Sequence, residues 1–414
     1  MPTTPPPALE PILTPAHHRL WHEVDAFAAE YVAPRVQLME DDRHKVERRI
    51  PQLMAERGWF GVTIPAQYGG MAAGHVAKTV MVHRTGVVSG AAAASLQASQ
   101  IPVGALQLWG NPEQKNLWLP QAAAGERLLS IAVTEPEAGG HIGGIETTAQ
   151  HDGEWWVITG EKAHIGNSNL AHLHVVIART APPDVHPSRA LTAFLVEHDR
   201  KGISVDKHKA GLGLNGFTAG RLRMDHVRVP MGNVLGEVGK GMDVAQSASI
   251  LYGRANLAAV SLGIHEALVS KTAQWLAARP RYEGRLSDLD VLRDRLGAMQ
   301  ARFQTAQSIT YEAVHLLDTG KSCDPQLIGA KHTGHQLAAD TAREALELHG
   351  AHGVTSDQLM QRLFRDIQYT YPPAGTAEFQ RIHLARTALG EPAISWSEWL
   401  AAERAWARPD PTPA

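Results

Sequence analysis

Ala132-Val133-Thr134-Glu135-Pro136-Glu137-Ala138-Gly139-Gly140-His141-Ile142-Gly143-Gly144 joins an apolar run to a glycine-rich turn, and the fold is read outward from it. Leu128 to Thr134 has strand composition and stops at Thr134-Glu135-Pro136, because proline cannot donate to a strand ladder. The four glycines that follow either let the backbone come close to a ligand or simply supply turn angles. Composition alone leaves both readings open.

The pattern on either side is helical. From Ala16 to about Arg127, Leu20, Val24, Phe27 and Tyr31 mark one helix face, and Gly69-Gly70 and Gly110-Asn111-Pro112 interrupt the run. From Leu128 to about Gly236 the period changes to short strands, with Asp152-Gly153 as a hairpin turn and further strands at Leu173–Ala178, Leu191–Val196 and Leu222–Val229. Past Gly241 the helical stripe returns on Leu257, Val260, Ile264 and Leu268. Ser287 with Asp290 has capping-box spacing for a second helix, which carries Leu289, Leu292, Leu296, Met299 and Phe303 inward and stops at Gly320. Asp324-Pro325 opens a third that closes at Gly350; Ser356 starts a fourth, and a last one carries Phe379, Ile382 and Leu389. The expected division is a helical domain at 15–127, an antiparallel β domain at 128–238 and a helical bundle at 239–395, an α+β arrangement. Proline-rich ends, 1–14 and 396–414, read as loose tails, with Trp396 and Trp399 anchoring the second.

A net charge of −3 over 414 residues gives no broad cationic field, which argues against nucleic acid or an anionic membrane as the main partner. One cysteine, Cys323, excludes an internal disulfide, and no stretch resembles a signal peptide or a bilayer span, so the cytoplasm is the expected location. His332 and His335 have helical i, i+3 spacing, but no nearby motif supplies further ligands, and no metal site is assigned.

Helices, a small β domain opened by Thr134-Glu135-Pro136, then a bundle: this order resembles the acyl-CoA dehydrogenase family of flavoproteins over nearly the whole chain. Supporting marks are Tyr68-Gly69-Gly70, Gly160-Glu161-Lys162, Asp225 through Pro230, Leu348-His349-Gly350, Arg365-Asp366 and Gly375-Thr376 with Gln380. The resemblance implies FAD held between β domain and bundle, with an acyl thioester of coenzyme A or an acyl carrier protein against its ring. It also implies an electron-accepting flavoprotein and a homodimer or homotetramer. By the same resemblance, Val133, Thr134, Gly139, Gly140, His164, Gly166, Arg279, Tyr282, Glu347, Gly350, Thr376 and Glu378 are cofactor contacts. Tyr252, Arg254, Ala374 and Gly375 fall at the substrate.

The departures cluster at the chemistry. The family's usual base, a Glu just before the Gly-Thr pair, is Ala374 here, and the alternative base position on the first bundle helix is Gly253. Neither accepts a proton. Where the family has Ser-Asp the turn has Gly140-His141, and where it has Trp-Ile-Thr the next turn has His164-Ile165-Gly166. His141 and His164 thereby become the candidate catalytic groups, since imidazole is the side chain suited to proton transfer near neutrality. Glu347 replaces a usual Gln and would face a pyrophosphate unfavourably unless it points away. Glu378 lies one helical turn, about 6 Å, past Ala374 and is too far to stand in for it. Tyr252, Tyr369 and Tyr371 flank the empty positions; a phenol of pKa about 10 is a poor unassisted base. The expected activity is FAD-dependent transformation of an acyl thioester at its α,β carbons. A flavin monooxygenase and a flavin-free relative of the same fold are the alternatives.

Overall fold

The computed structural model describes residues 4–406. Its centre is one eight-stranded sheet: β1 (Leu129–Ala132), β2 (Thr148–Asp152), β3 (Trp155–Gly166), β4 (Leu173–Arg179), β5 (Leu191–Glu197), β6 (Ile203–Val205), β7 (Ala219–Pro230) and β8 (Val234–Leu235). The order is β6-β7-β3-β2-β4-β5-β8, with β1 against β4. The Asp152-Gly153 hairpin forms as its turn chemistry dictates, Gly153 taking φ +62° and Asp152 pairing with Trp155. The expectation of a purely antiparallel domain needs correcting. β1 runs parallel to β4, Leu129 opposite Leu173, because the whole glycine turn and the β2–β3 hairpin intervene before the chain returns beside it.

Helices pack on both sides of this sheet in sequence. The first domain contributes Pro15–Phe27, Gly74–Val88, Gly90–Trp109 and Pro112–Ala123; Asn111 caps the last of these through a capping box with Gln114. Leu20, Val24 and Phe27 are buried as their spacing predicts, and the Arg57 guanidinium lies over the Phe27 and Tyr31 rings. The bundle comprises Ala255–Ala278, Asp290–Asp318, Asp324–His349, Leu359–Gln368 and Ala377–Ala388. A buried polar network joins the two helical domains: Arg84 donates to Asp25 and Glu266, each at 2.7 Å, and His83 bridges Glu266 and Tyr311. Burial pushes the Glu266 carboxyl up, but the His83 hydrogen bond and the His83 and Arg84 charges outweigh it and hold the group at about 2.

Four local readings change. Ser287 does not cap the second bundle helix; the box forms two residues earlier, between Arg285 and Asp288, and the helix starts at Asp290. The fourth starts at Leu359, after Gln358, rather than at Ser356. The N-terminal stretch is not a loose tail within the described residues, since Leu9 and Leu13 are buried and Thr14 caps the Pro15–Phe27 helix. Nor is 396–406, which is the helix Trp396–Trp406; residues 1–3 and 407–414 of the expected tails lie outside the described residues. Trp109 stacks on Trp399 at 5.0 Å and meets Trp396 edge-on, and the Asp324 carboxylate accepts from the N–H groups of Trp396 and Ser397. Asp324 thus serves the C-terminal helix rather than its own. Among the described residues, no helix is long and apolar enough to cross a membrane.

Candidate active site

The Thr134-Glu135-Pro136 turn is held from inside by one buried ion pair. Lys162 Nζ, from β3, donates to Glu135 Oε1 at 2.7 Å and to the Val133 carbonyl at 3.0 Å. Glu135 also accepts from the N–H groups of Glu146 and Thr147 at 2.7 and 3.0 Å, so a single carboxylate ties both ends of the glycine loop. Burial pushes the Glu135 carboxyl up, and the Lys162 charge and the hydrogen bonds hold it below the usual range. The tip is left open: a Cβ on Gly139 or Gly140 would meet no atom within 4 Å.

His141 and His164 are both exposed but differ in disposition. The His141 ring folds back over its own turn. A Cβ on Gly144 would come within 2.9 Å of His141 Nδ1, so these glycines are needed to seat it. His164 sits in a left-handed backbone at φ +57°, where the β3–β7 register slips between Lys162 and Ile165, and stands clear of the sheet. Asn167, three residues on, donates to Ser95 O and Ser99 Oγ at 2.8 and 3.0 Å, pinning the end of β3 to the Gly90–Trp109 helix. Gly166 faces Ala98 and Phe217 at near-contact distance.

The structure brings the two empty base positions face to face. Gly253 lies in the π-helical segment Ser249–Arg254, and a Cβ built on it would stand 3.4 Å from the Ala374 Cβ. Ala374 adopts φ +55°, in a loop held by Gln380 Nε2 donating to its carbonyl at 2.7 Å and by Lys331 Nζ donating to the Tyr371 and Gly375 carbonyls at 2.6 Å. No carboxylate replaces the missing one. Glu378 points outward, accepting from the Tyr371 hydroxyl at 2.8 Å and from Arg381 at 3.0 Å. The Tyr371 hydrogen bond, with Thr376 assisting, draws Glu378 down to about 2, and the same bond pushes the Tyr371 phenol up. Both shifts make poor bases at neutral pH.

Tyr252, expected at the substrate, lies within the packed helices of the core. It is 1 % exposed, its ring stacked against the place where a Cβ on Gly104 would fall and under the Lys78 ammonium. Arg254 is buried beside the paired glycine and alanine. Lys331, Gln380 and Asn167 were not among the expected site residues. The signal for Lys331 was a lysine inside the apolar stripe Leu327, Ile328, Ala330, Ala338, which ordinarily reads as a snorkelling surface residue.

The remaining expected cofactor contacts lie elsewhere. Arg279 and Tyr282 are exposed on the short turn after the 24-residue helix Ala255–Ala278, about 36 Å along it from Gly253. Gly350, at φ +57°, closes the Asp324–His349 helix, and Glu347 there pairs with Arg295 at 2.6 Å instead of facing a phosphate. A cofactor with its ring at Ala374 cannot also reach these groups on the same chain.

Three family models match successive stretches of the chain. Models described as the N-terminal, middle and C-terminal domains of acyl-CoA dehydrogenase match residues 14–126, 130–227 and 239–389. An acyl-CoA dehydrogenase of Bacillus subtilis is 30% identical over 365 residues, covering 88% of this chain and 95% of that protein. The caffeyl-CoA reductase-Etf complex subunit CarC of Acetobacterium woodii is 28% identical over 331 residues, covering 80% and 86%. A solved acyl-CoA dehydrogenase from Geobacillus kaustophilus superimposes with a TM-score of 0.85 at 27% identity, over 91% of this chain and 98% of that one. The chain belongs to the acyl-CoA dehydrogenase family, and it is an FAD-dependent oxidoreductase of acyl thioesters.

The residues present fit that cofactor in part: the Gly139-Gly140 tip is bare, with no atom within 4 Å of where a Cβ would stand, so a ligand can come close to its backbone.

Proposed function

We propose that the protein transforms an acyl thioester at its α,β carbons without a fixed carboxylate base. The observation that carries this reading is that Gly253 and Ala374 face each other, a Cβ built on the glycine falling 3.4 Å from the Ala374 Cβ, with Glu378 turned out and occupied. The site can press a thioester against a flavin but has no carboxylate with which to take its α-proton. It therefore suits a substrate whose α-carbon is already acidic, or one whose proton passes to His164. FAD supplies hydride acceptance and donation when bound; Val133, Thr134, Gly139, Gly140, His164 and Gly166 would hold its ring side. Coenzyme A or an acyl carrier protein is the carrier, and an electron-transferring flavoprotein the acceptor, in keeping with the Etf complex of the Acetobacterium woodii relative.

Under anaerobic conditions the flavin absorbance of the purified protein is expected to bleach on addition of an activated acyl thioester. His164→Ala should slow the bleaching at least tenfold and His141→Ala by less than twofold. Unchanged rates in both variants would remove histidine from the reaction, and a colourless protein would remove the reading itself. A flavin monooxygenase also needs no α-carbon base, so the same empty pair favours it as the second reading. Rapid reoxidation by air through a transient oxygen adduct would select it.

Assembly is part of the proposal. Arg279 and Tyr282, about 36 Å of helix away from the Gly253–Ala374 pair, would complete the flavin site of a second copy together with Gly350, while Thr376, two residues from Ala374, would serve its own chain's flavin. Phe379, Ile382 and Leu389 stand exposed on the last bundle helix, an apolar row available to such a contact. Light scattering at micromolar concentration is expected to give a dimer or a dimer of dimers; a monomer would contradict it.

A further inference from the structure

Two loops, 42–48 and 206–218, carry unpaired positive charge side by side. The His208 ring bonds to the Arg43 backbone, the Glu47 N–H donates to the Gly216 carbonyl at 3.0 Å, and Asn169 links Arg48 at 3.2 Å to the Asp206 carbonyl at 2.9 Å. Arg43, Lys45, Arg48, Lys207 and Lys209 are exposed and make no ion pair among the described residues. Of the carboxylates on and beside these loops, Glu40, Glu47 and Asp206 are each taken by an arginine, namely Arg365, Arg35 and Arg223. That leaves Asp41 and Asp42 against the five cations, in a chain whose net charge is −3. Leu38 and Leu212 stand exposed at 57 % and 56 % on the same two segments, which Arg365 joins by pairing with Glu40 and donating to the Leu212 carbonyl at 3.0 Å.

The second loop runs from this patch into the candidate site. A Cβ on Gly211 would clash with the Tyr369 ring, so loop and ring are in contact, and Tyr369 leads through Tyr371 to Ala374. Leu214, at φ +54°, packs with Tyr369 and is fixed by its N–H donating to Asp366 at 2.6 Å. Phe217, at the far end, would lie 3.2 Å from a Cβ on Gly166. A partner seated on the patch is thus one loop away from both Gly166 and the 369–374 segment.

We propose that this basic face, with its two exposed leucines, docks an acidic carrier-protein domain, so that the acyl thioester reaches the site on a protein-borne arm rather than as free coenzyme A. The inference rests on the acyl-thioester reading above and selects its carrier. Free coenzyme A also brings negative phosphates, but a nucleotide needs a concave seat for its base. The cavity beneath this face, lined by Met39, Glu40, Asn215 and Asp366, measures about 10 Å³, room for a single water. Exposed apolar side chains ringed by charge suit a protein surface instead, and opposite charge then sets its orientation and encounter rate.

Calorimetric titration of the full-length protein with butyryl-CoA and with a butyryl-loaded acyl carrier protein reads the preference without relying on turnover. The loaded carrier is expected to bind tenfold or more tightly than butyryl-CoA, and its affinity should fall as salt is raised. Lys207→Glu with Lys209→Glu should weaken the carrier at least tenfold and butyryl-CoA less than twofold. Arg43→Glu with Lys45→Glu, on the other loop, should do the same, so that a folding fault in one variant does not decide the matter. A carrier whose acidic residues beside the loaded serine are changed to lysine should bind either charge-reversed variant better than the parent. Equal loss of butyryl-CoA in the variants would make the patch a phosphate seat for free coenzyme A, and carrier binding that survives both reversals would make it an ordinary solvated face. Either result overturns the proposal while leaving the acyl-thioester reading in place. Failure of both thioesters to bind overturns both.

Discussion

Ala374→Glu is expected to create ordinary acyl-CoA oxidation where the parent protein has little. The backbone at 374 already holds a Cβ at φ +55°, so glutamate adds no new conformational penalty. Its side chain would start 3.4 Å from the Gly253 position, in the space the family uses for its base, with the loop still fixed by Gln380 and Lys331. A correctly placed general base contributes on the order of 10²- to 10⁴-fold, so the anaerobic reduction rate with butyryl-CoA should rise at least a hundredfold. No gain with butyryl-CoA, in a variant that folds and keeps its flavin, would mean the thioester does not lie over Ala374.

How far this site could be read from the sequence depends on the range of the contacts that make it. The Asp152-Gly153 hairpin and the helix stop at Gly350 are local, and each residue's own backbone preference decides them. Ser287 failed as a cap because a competing pair, Arg285 and Asp288, forms its box two residues earlier. The C-terminal helix was illegible because its cap comes from Asp324 and its packing from Trp109, both remote in sequence. At the site, the loss of a carboxylate at 253 and 374 was visible only through the family pattern, whereas their mutual contact needed coordinates.

Lys162→Met is expected to cost about 3 to 5 kcal/mol, the range for breaking a buried ion pair from one side. Methionine keeps most of the lysine stem's volume, so little of the loss would come from a cavity. What remains is Glu135, 6 % exposed, with two backbone donors and no cation, while the Val133 carbonyl loses the hydrogen bond it accepts from Lys162. Urea unfolding gives the comparison with Lys240→Met, a half-exposed lysine whose partner Asp243 lies 3.2 Å away and whose loss should cost no more than about 1 kcal/mol. Similar small losses in both variants would show that Lys162 does not brace the loop. The flavin gives a second readout from the same sample. Val133, Thr134 and Gly139 all hang on this pair, so a folded variant that elutes without colour would locate the cofactor against this loop. One that is destabilised yet keeps its flavin in full would place the binding contacts on other parts of the chain.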